Sequence, residues 1–118
     1  ETIASAIRVG NPASWNRAIS ARDESGGSID MVSDADIMDA YKLMANSEGI
    51  FCEPASAASV AGLMKHARSG LQLEGKRVVC VITGSGLKDQ DLANEIEPAW
   101  MEEYPPDLAA VEQAMGLQ

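Results

Sequence analysis

The run from Arg77 to Asp89, RVVCVITGSGLKD, limits what this chain can fold into more than any other stretch. Val78 to Ile82 is unbroken apolar sequence, mostly β-branched. A strand with one wet side alternates apolar and polar residues, so an unbroken run suits a strand buried on both faces of a parallel sheet. The run ends at Thr83, and Gly84 and Gly86 then allow a sharp turn and close approach of the backbone to a ligand. Asp89 can cap a helix beginning near Gln90. Strand, glycine loop and helix start mark the usual ligand position in open α/β sheets. Val78 to Ile82 is therefore expected as an interior parallel strand, with Thr83 at its carboxyl end beside the start of a helix at Ala55.

The loop fits neither well-known nucleotide fingerprint. A dinucleotide turn needs a third glycine where Asp89 stands, and a P-loop needs Ser or Thr after Lys88. The loop thus argues against a dinucleotide or nucleoside triphosphate as its ligand. Two readings stay open from spacing alone: a loop for another small ligand, or a tight structural turn.

The chain has 118 residues, 46% of them hydrophobic, which is one domain's length with enough apolar material for a core. Aromatics make up only 4%, so packing must rest on Val, Ile, Leu, Met and alanine. A net charge of −9 argues against nucleic acid or an anionic membrane as partner. No apolar run has transmembrane length and no signal peptide opens the chain, so a cytoplasmic location is expected. Cys52 and Cys80 lie among apolar neighbours and read as reduced, buried thiols. No metal-ligand spacing occurs, and His66, beside Lys65 and near Arg68, reads as a surface residue.

Along the chain, Thr2 to Arg8 reads as the end of a helix broken by Gly10, Asn11 and Pro12. Ala13 to Arg22 resumes helical spacing, with Trp15 as a core anchor beside Ala18 and Ile19. Ser28 to Val32 is expected as a short strand. Ser33 with Asp36 forms a capping box for a helix reaching Ser47, with Ile37, Ala40, Tyr41 and Met44 on its apolar stripe and Gly49 as its stop. Ile50 to Cys52 is a three-residue strand leading into Glu53-Pro54, and Ala55 to Ser69 is a helix that buries Ala57, Val60, Ala61 and Met64. Pro54 suits the first helical position, which leaves Glu53 as cap. Ser56 and Ala57 then offer amides to a polar ligand, unless Glu53 caps its own helix. Gln90 to Ile96 is expected as a short acidic helix, Pro98 to Pro106 has no period, and Asp107 to Met115 forms a small amphipathic helix with Leu108, Val111 and Met115 on one side. Strands alternating with helices indicate an α/β fold with a parallel sheet.

Three motifs occur in order: AIRVGNPASW at 6–15, GIFCEPASAAS at 49–59 and TGSGLKD at 83–89. Together they resemble the C-terminal part of the bacterial threonine synthase family, pyridoxal-phosphate enzymes of the tryptophan-synthase-β fold type. The resemblance covers essentially the whole chain. Glu-Pro followed by small residues is shared with related dehydratases, whereas IRVGNPASW and TGSGLKD point to threonine synthases. It implies an α/β, fold-type-II large domain with a parallel sheet flanked by helices. Within it, 1–27 would carry helices and the GNP loop, 28–97 the α/β core, and 98–118 an acidic tail with a short helix.

The same resemblance implies site roles. Thr83 would meet the pyridine nitrogen of pyridoxal 5'-phosphate, with Gly84 beside it and Val9, Gly10 and Asn11 along one side of the cofactor. Glu53 would lie near the ring, and Ser56 and Asn11 near the substrate. The family converts O-phospho-L-homoserine and water to L-threonine and phosphate. Its Schiff-base lysine and its phosphate cradle lie upstream of the matching motifs, and none of the four lysines, Lys42, Lys65, Lys76 and Lys88, has the expected context. The chain is thus expected to be a piece of the enzyme, inactive alone, partnered by the N-terminal portion and forming a homodimer. A serine or threonine dehydratase and a non-catalytic protein-binding module are the alternatives.

Overall fold

A computed structural model describes residues 1–89 and 104–117. Helix α1 spans Trp15–Ser25, α2 Asp34–Glu48, α3 Pro54–Arg68 and α4 Leu108–Ala114, with short 3-10 turns at Ser5–Ile7 and Gly86–Lys88.

Local chemistry explains where α2 starts and stops. Ser33 Oγ accepts the Asp36 amide at 3.1 Å, and the Asp36 carboxylate accepts the Ser33 amide at 3.2 Å, which closes the capping box. Gly49 ends the helix in a left-handed conformation, φ 66°, that a residue with a side chain rarely adopts. At the head of α3, Pro54 needs no amide partner, and Glu53 before it is extended.

The two helices pack on each other and make the core. Ile37, Ala40, Tyr41 and Met44 of α2 meet Ala57 and Ala61 of α3, with Cys52 and Ala4 completing the buried cluster. Val60 and Met64, expected in this face, are partly buried against it. The N-terminal segment is tied down by Asp34, whose carboxylate accepts from Thr2 Oγ1 at 2.5 Å and from the Ile3 amide at 3.1 Å. His66 lies on the surface within 3.5 Å of Asp30, as its neighbours suggested.

The parallel sheet is not present among the described residues. The only β pairing there is an isolated antiparallel bridge between Cys52 and Ser85. Ser28–Val32, Ile50–Cys52 and Val78–Ile82 form no ladder with one another. A strand exists only through a partner, and the polar contacts of 80–81 go to α3 instead: Ser59 Oγ reaches the Val81 carbonyl at 3.4 Å and Cys80 Sγ the Ser59 carbonyl at 3.9 Å. Ile82 packs against the core, whereas Val79 is 79% exposed. One side of the run is thus covered and the other open.

One smaller expectation also fails. Trp15 is 56% exposed and α1 buries no residue, because no described element packs over its apolar side. The last helix is found as expected, at Leu108–Ala114, and its Leu108, Val111 and Met115 are exposed. The expected helix at Gln90 to Ile96 and most of the aperiodic stretch after it lie outside the described residues.

Candidate functional site

Two turns that are far apart in sequence meet at the head of α3. The Glu53 amide donates to the Gly84 carbonyl at 3.0 Å and the Gly86 amide to the Phe51 carbonyl at 3.1 Å, so 51–53 runs antiparallel to 84–86. This short pairing delivers Thr83 to Glu53 and Ser56.

Ser56 is fully buried in the first turn of α3. Its Oγ lies 2.9 Å from the amide nitrogens of both Thr83 and Gly84, 2.8 Å from Thr83 Oγ1 and 3.4 Å from Glu53 Oε1. Thr83 Oγ1 also donates to Glu53 Oε1 at 3.2 Å. Glu53 is buried, but Thr83 is exposed. A buried serine and a buried carboxylate therefore hold a hydroxyl whose outer side is open.

Glu53 occupies the cap position without capping through its side chain; the carboxylate faces Thr83. The Ser56 and Ala57 amides are not free either, since both donate to the Glu53 carbonyl, at 3.0 and 3.3 Å. The expected anion site at this helix start is thus closed by the chain's own backbone.

The two loop glycines are required for space and not for an unusual backbone, because neither has a positive φ. A Cβ on Gly84 would collide with the Glu53 carboxylate, and one on Gly86 would come within 2.5 Å of the Phe51 ring. Phe51 in turn meets Tyr41 edge to face, with ring centroids 6.3 Å apart. In the sequence Phe51 has no role beyond its place in the Ile50 to Cys52 segment, and this close approach shows there only as the second glycine of the Gly-x-Gly turn. Beneath the site, burial pushes the Cys52 thiol above its usual range, and the nearby Glu53 charge adds to this.

Val9, Gly10 and Asn11 are exposed, and among the described residues no hydrogen bond joins them to Thr83, Glu53 or Ser56. Their segment does reach the same loop, because Ser5 Oγ donates to the Asp89 carboxylate at 2.9 Å. The Asp89 side chain thus serves this contact. Lys65 is engaged by Asp30 at 2.9 Å and by the Met31 carbonyl at 2.7 Å, and Lys42, Lys76 and Lys88 are exposed.

An exposed neutral hydroxyl, fixed from behind, whose one hydrogen can turn from Glu53 Oε1 to an acceptor on the open side, suits the ring nitrogen of a pyridine, which accepts a hydrogen bond at its edge. The donor set therefore fits one end of a pyridoxal cofactor.

Comparison with known proteins points the same way. Residues 1–84 match the model of the pyridoxal-phosphate dependent enzyme family. The chain is 50% identical over 122 residues to the threonine synthase of a Synechocystis strain, an alignment that covers 99% of this chain and 30% of that protein. It is 49% identical to the threonine synthase of Mycobacterium tuberculosis, covering 99% of this chain and 32% of that one. With the threonine synthase of Bacillus sp. (strain ULM1) it shares 58% identity over 93 residues, 79% of this chain and 26% of that one. The chain thus spans about a quarter to a third of the length of the curated relatives it matches. With the family model covering well over half of it, the chain belongs to the pyridoxal-phosphate dependent enzymes.

Proposed function

We propose that this chain is the C-terminal portion of a threonine synthase, which converts O-phospho-L-homoserine and water to L-threonine and phosphate. The observation that carries the proposal is the reach of the similarity. The family match ends at residue 84, whereas the Synechocystis and Mycobacterium tuberculosis threonine synthases align over 99% of the chain.

In this reading the chain supplies the ring-nitrogen end of the site. When bound, pyridoxal phosphate supplies an electron sink for elimination and replacement at the β and γ carbons of an amino acid. Thr83 gives the ring nitrogen a neutral hydrogen-bond partner, which does not enforce the protonated ring in the way a carboxylate would. Gly84 keeps the loop free of a side chain that would displace Glu53, and Glu53 holds the inner side of the Thr83 hydroxyl. Val9, Gly10 and Asn11 would line one side of the cofactor, with Asn11 also toward the substrate. The lysine that binds the cofactor and the phosphate cradle would come from the N-terminal portion of the same enzyme, which would also cover the open side of Val78 to Ile82. A homodimer is the proposed assembly, and the 118-residue chain by itself is proposed to be inactive.

The test is product analysis with the full-length protein. Given O-phospho-L-homoserine, it is expected to release phosphate and threonine in equal amounts. Release of ammonia and a keto acid from serine or threonine, with no phosphate from the phosphorylated substrate, would make it a dehydratase instead.

A further inference from the structure

Ser56 has more hydrogen-bond partners than any other side chain at the site, and the number of hydrogens they require fixes a direction. A serine hydroxyl has two lone pairs and one hydrogen. The amide hydrogens of Thr83 and Gly84 take both lone pairs, each nitrogen lying 2.9 Å from Ser56 Oγ. Ser56's own hydrogen then has two acceptors in reach, Thr83 Oγ1 at 2.8 Å and Glu53 Oε1 at 3.4 Å. Only the first has the ordinary length of an O–H···O bond. If Thr83 donated to Ser56 instead, Ser56 Oγ would have to accept three hydrogens and would be left with the long contact for its own. Ser56 is therefore the donor and Thr83 the acceptor. The hydrogen of Thr83 then goes elsewhere than Ser56, to Glu53 Oε1 at 3.2 Å or to an acceptor on its exposed side.

We infer that Ser56 is a positioning residue: by donating to Thr83 it keeps the Thr83 hydrogen off Ser56, so that a bound ligand can draw that hydrogen from Glu53 Oε1, and it strengthens Thr83 as a donor. A hydroxyl that accepts one hydrogen bond is polarised to give another more strongly. Ser56 is only 1% exposed, so it acts through Thr83 and not by touching substrate. The inference rests on the proposed meeting of Thr83 with the ring nitrogen.

The test uses the full-length protein saturated with pyridoxal phosphate isotopically labelled at the ring nitrogen, read by nitrogen NMR. In Ser56→Ala the resonance is expected to move downfield, toward that of a nitrogen without a hydrogen bond, while Ser56→Thr, which keeps the hydroxyl, stays at the wild-type position. A Ser56→Ala resonance that coincides with wild type overturns the inference, as does an equal displacement in both variants. Thr83→Val separates the two levels. If its resonance moves downfield and that of Ser56→Ala does not, only the role of Ser56 is lost; if that of Thr83→Val also stays put, the cofactor reading of Thr83 falls with it. Should Ser56→Ala not fold, neutron diffraction from the loaded wild-type protein decides the direction. The Ser56 deuteron is expected on the line to Thr83 Oγ1, and a Thr83 deuteron in that place overturns the inference.

Discussion

At Gly84 a single absent side chain keeps the site open. The space beside its α carbon is filled by the Glu53 carboxylate, which is buried and holds the Thr83 hydroxyl. Gly84→Ala must therefore displace that carboxylate or the loop, and overpacking of this kind costs about 1–3 kcal/mol. Gly10 is the contrast, since a Cβ there would meet nothing within 4 Å. Gly10→Ala is expected to leave stability within about 0.5 kcal/mol of the parent. Urea unfolding of the full-length variants checks both, and equal midpoints for Gly84→Ala and the parent would contradict the packing described here.

Helices whose ends are set by neighbouring residues were legible in the sequence. Ser33, Asp36 and Gly49 lie within one or two turns of what they cap, and α2 runs from Asp34 to Glu48 as they require. Pro54 and the alanine spacing likewise fix α3, found at Pro54–Arg68. The run Val78 to Ile82 was not legible in the same way, because strand composition reports a preference for burial while a sheet depends on partners that no local spacing names. The site was half legible. Thr83 and Glu53 each stood out at a turn, but their meeting depends on the antiparallel contact of 51–53 with 84–86, and the hydrogens received by Ser56 come from that contact too. The capping box carries a prediction of its own. Ser33→Ala should cost about 1 kcal/mol through loss of the cap. Asp36 is held below the usual carboxylate range, first by the Ser33 hydroxyl and then by the Ser33 amide. A depressed folded value means that Asp36 adds stability above its unfolded pKa of about 3.9, and that this is lost as pH falls through the lower folded value. Asp36→Asn should remove that part of the acid dependence, and an unchanged acid limb in the variant's unfolding curves would contradict it.

Over the whole molecule, the described residues bury a core of small extent centred on α2 and α3, while Met31, Val79, Val81 and Leu108 remain open. The radius of gyration is 18.7 Å, where a compact domain of 100 residues has about 13 Å. A chain spanning about a quarter to a third of its relatives' length would be expected to show such surface, if the rest of the enzyme covers it. The function proposed for the chain turns on one atom, the hydroxyl oxygen of Thr83, meeting the ring nitrogen. Thr83→Val in the full-length protein tests this most directly, with turnover and cofactor content measured on the same sample. Turnover is expected to fall much further than cofactor retention, since the phosphate cradle outside this chain would do most of the anchoring. A variant that loses its cofactor yet keeps the parent rate when saturated would contradict it.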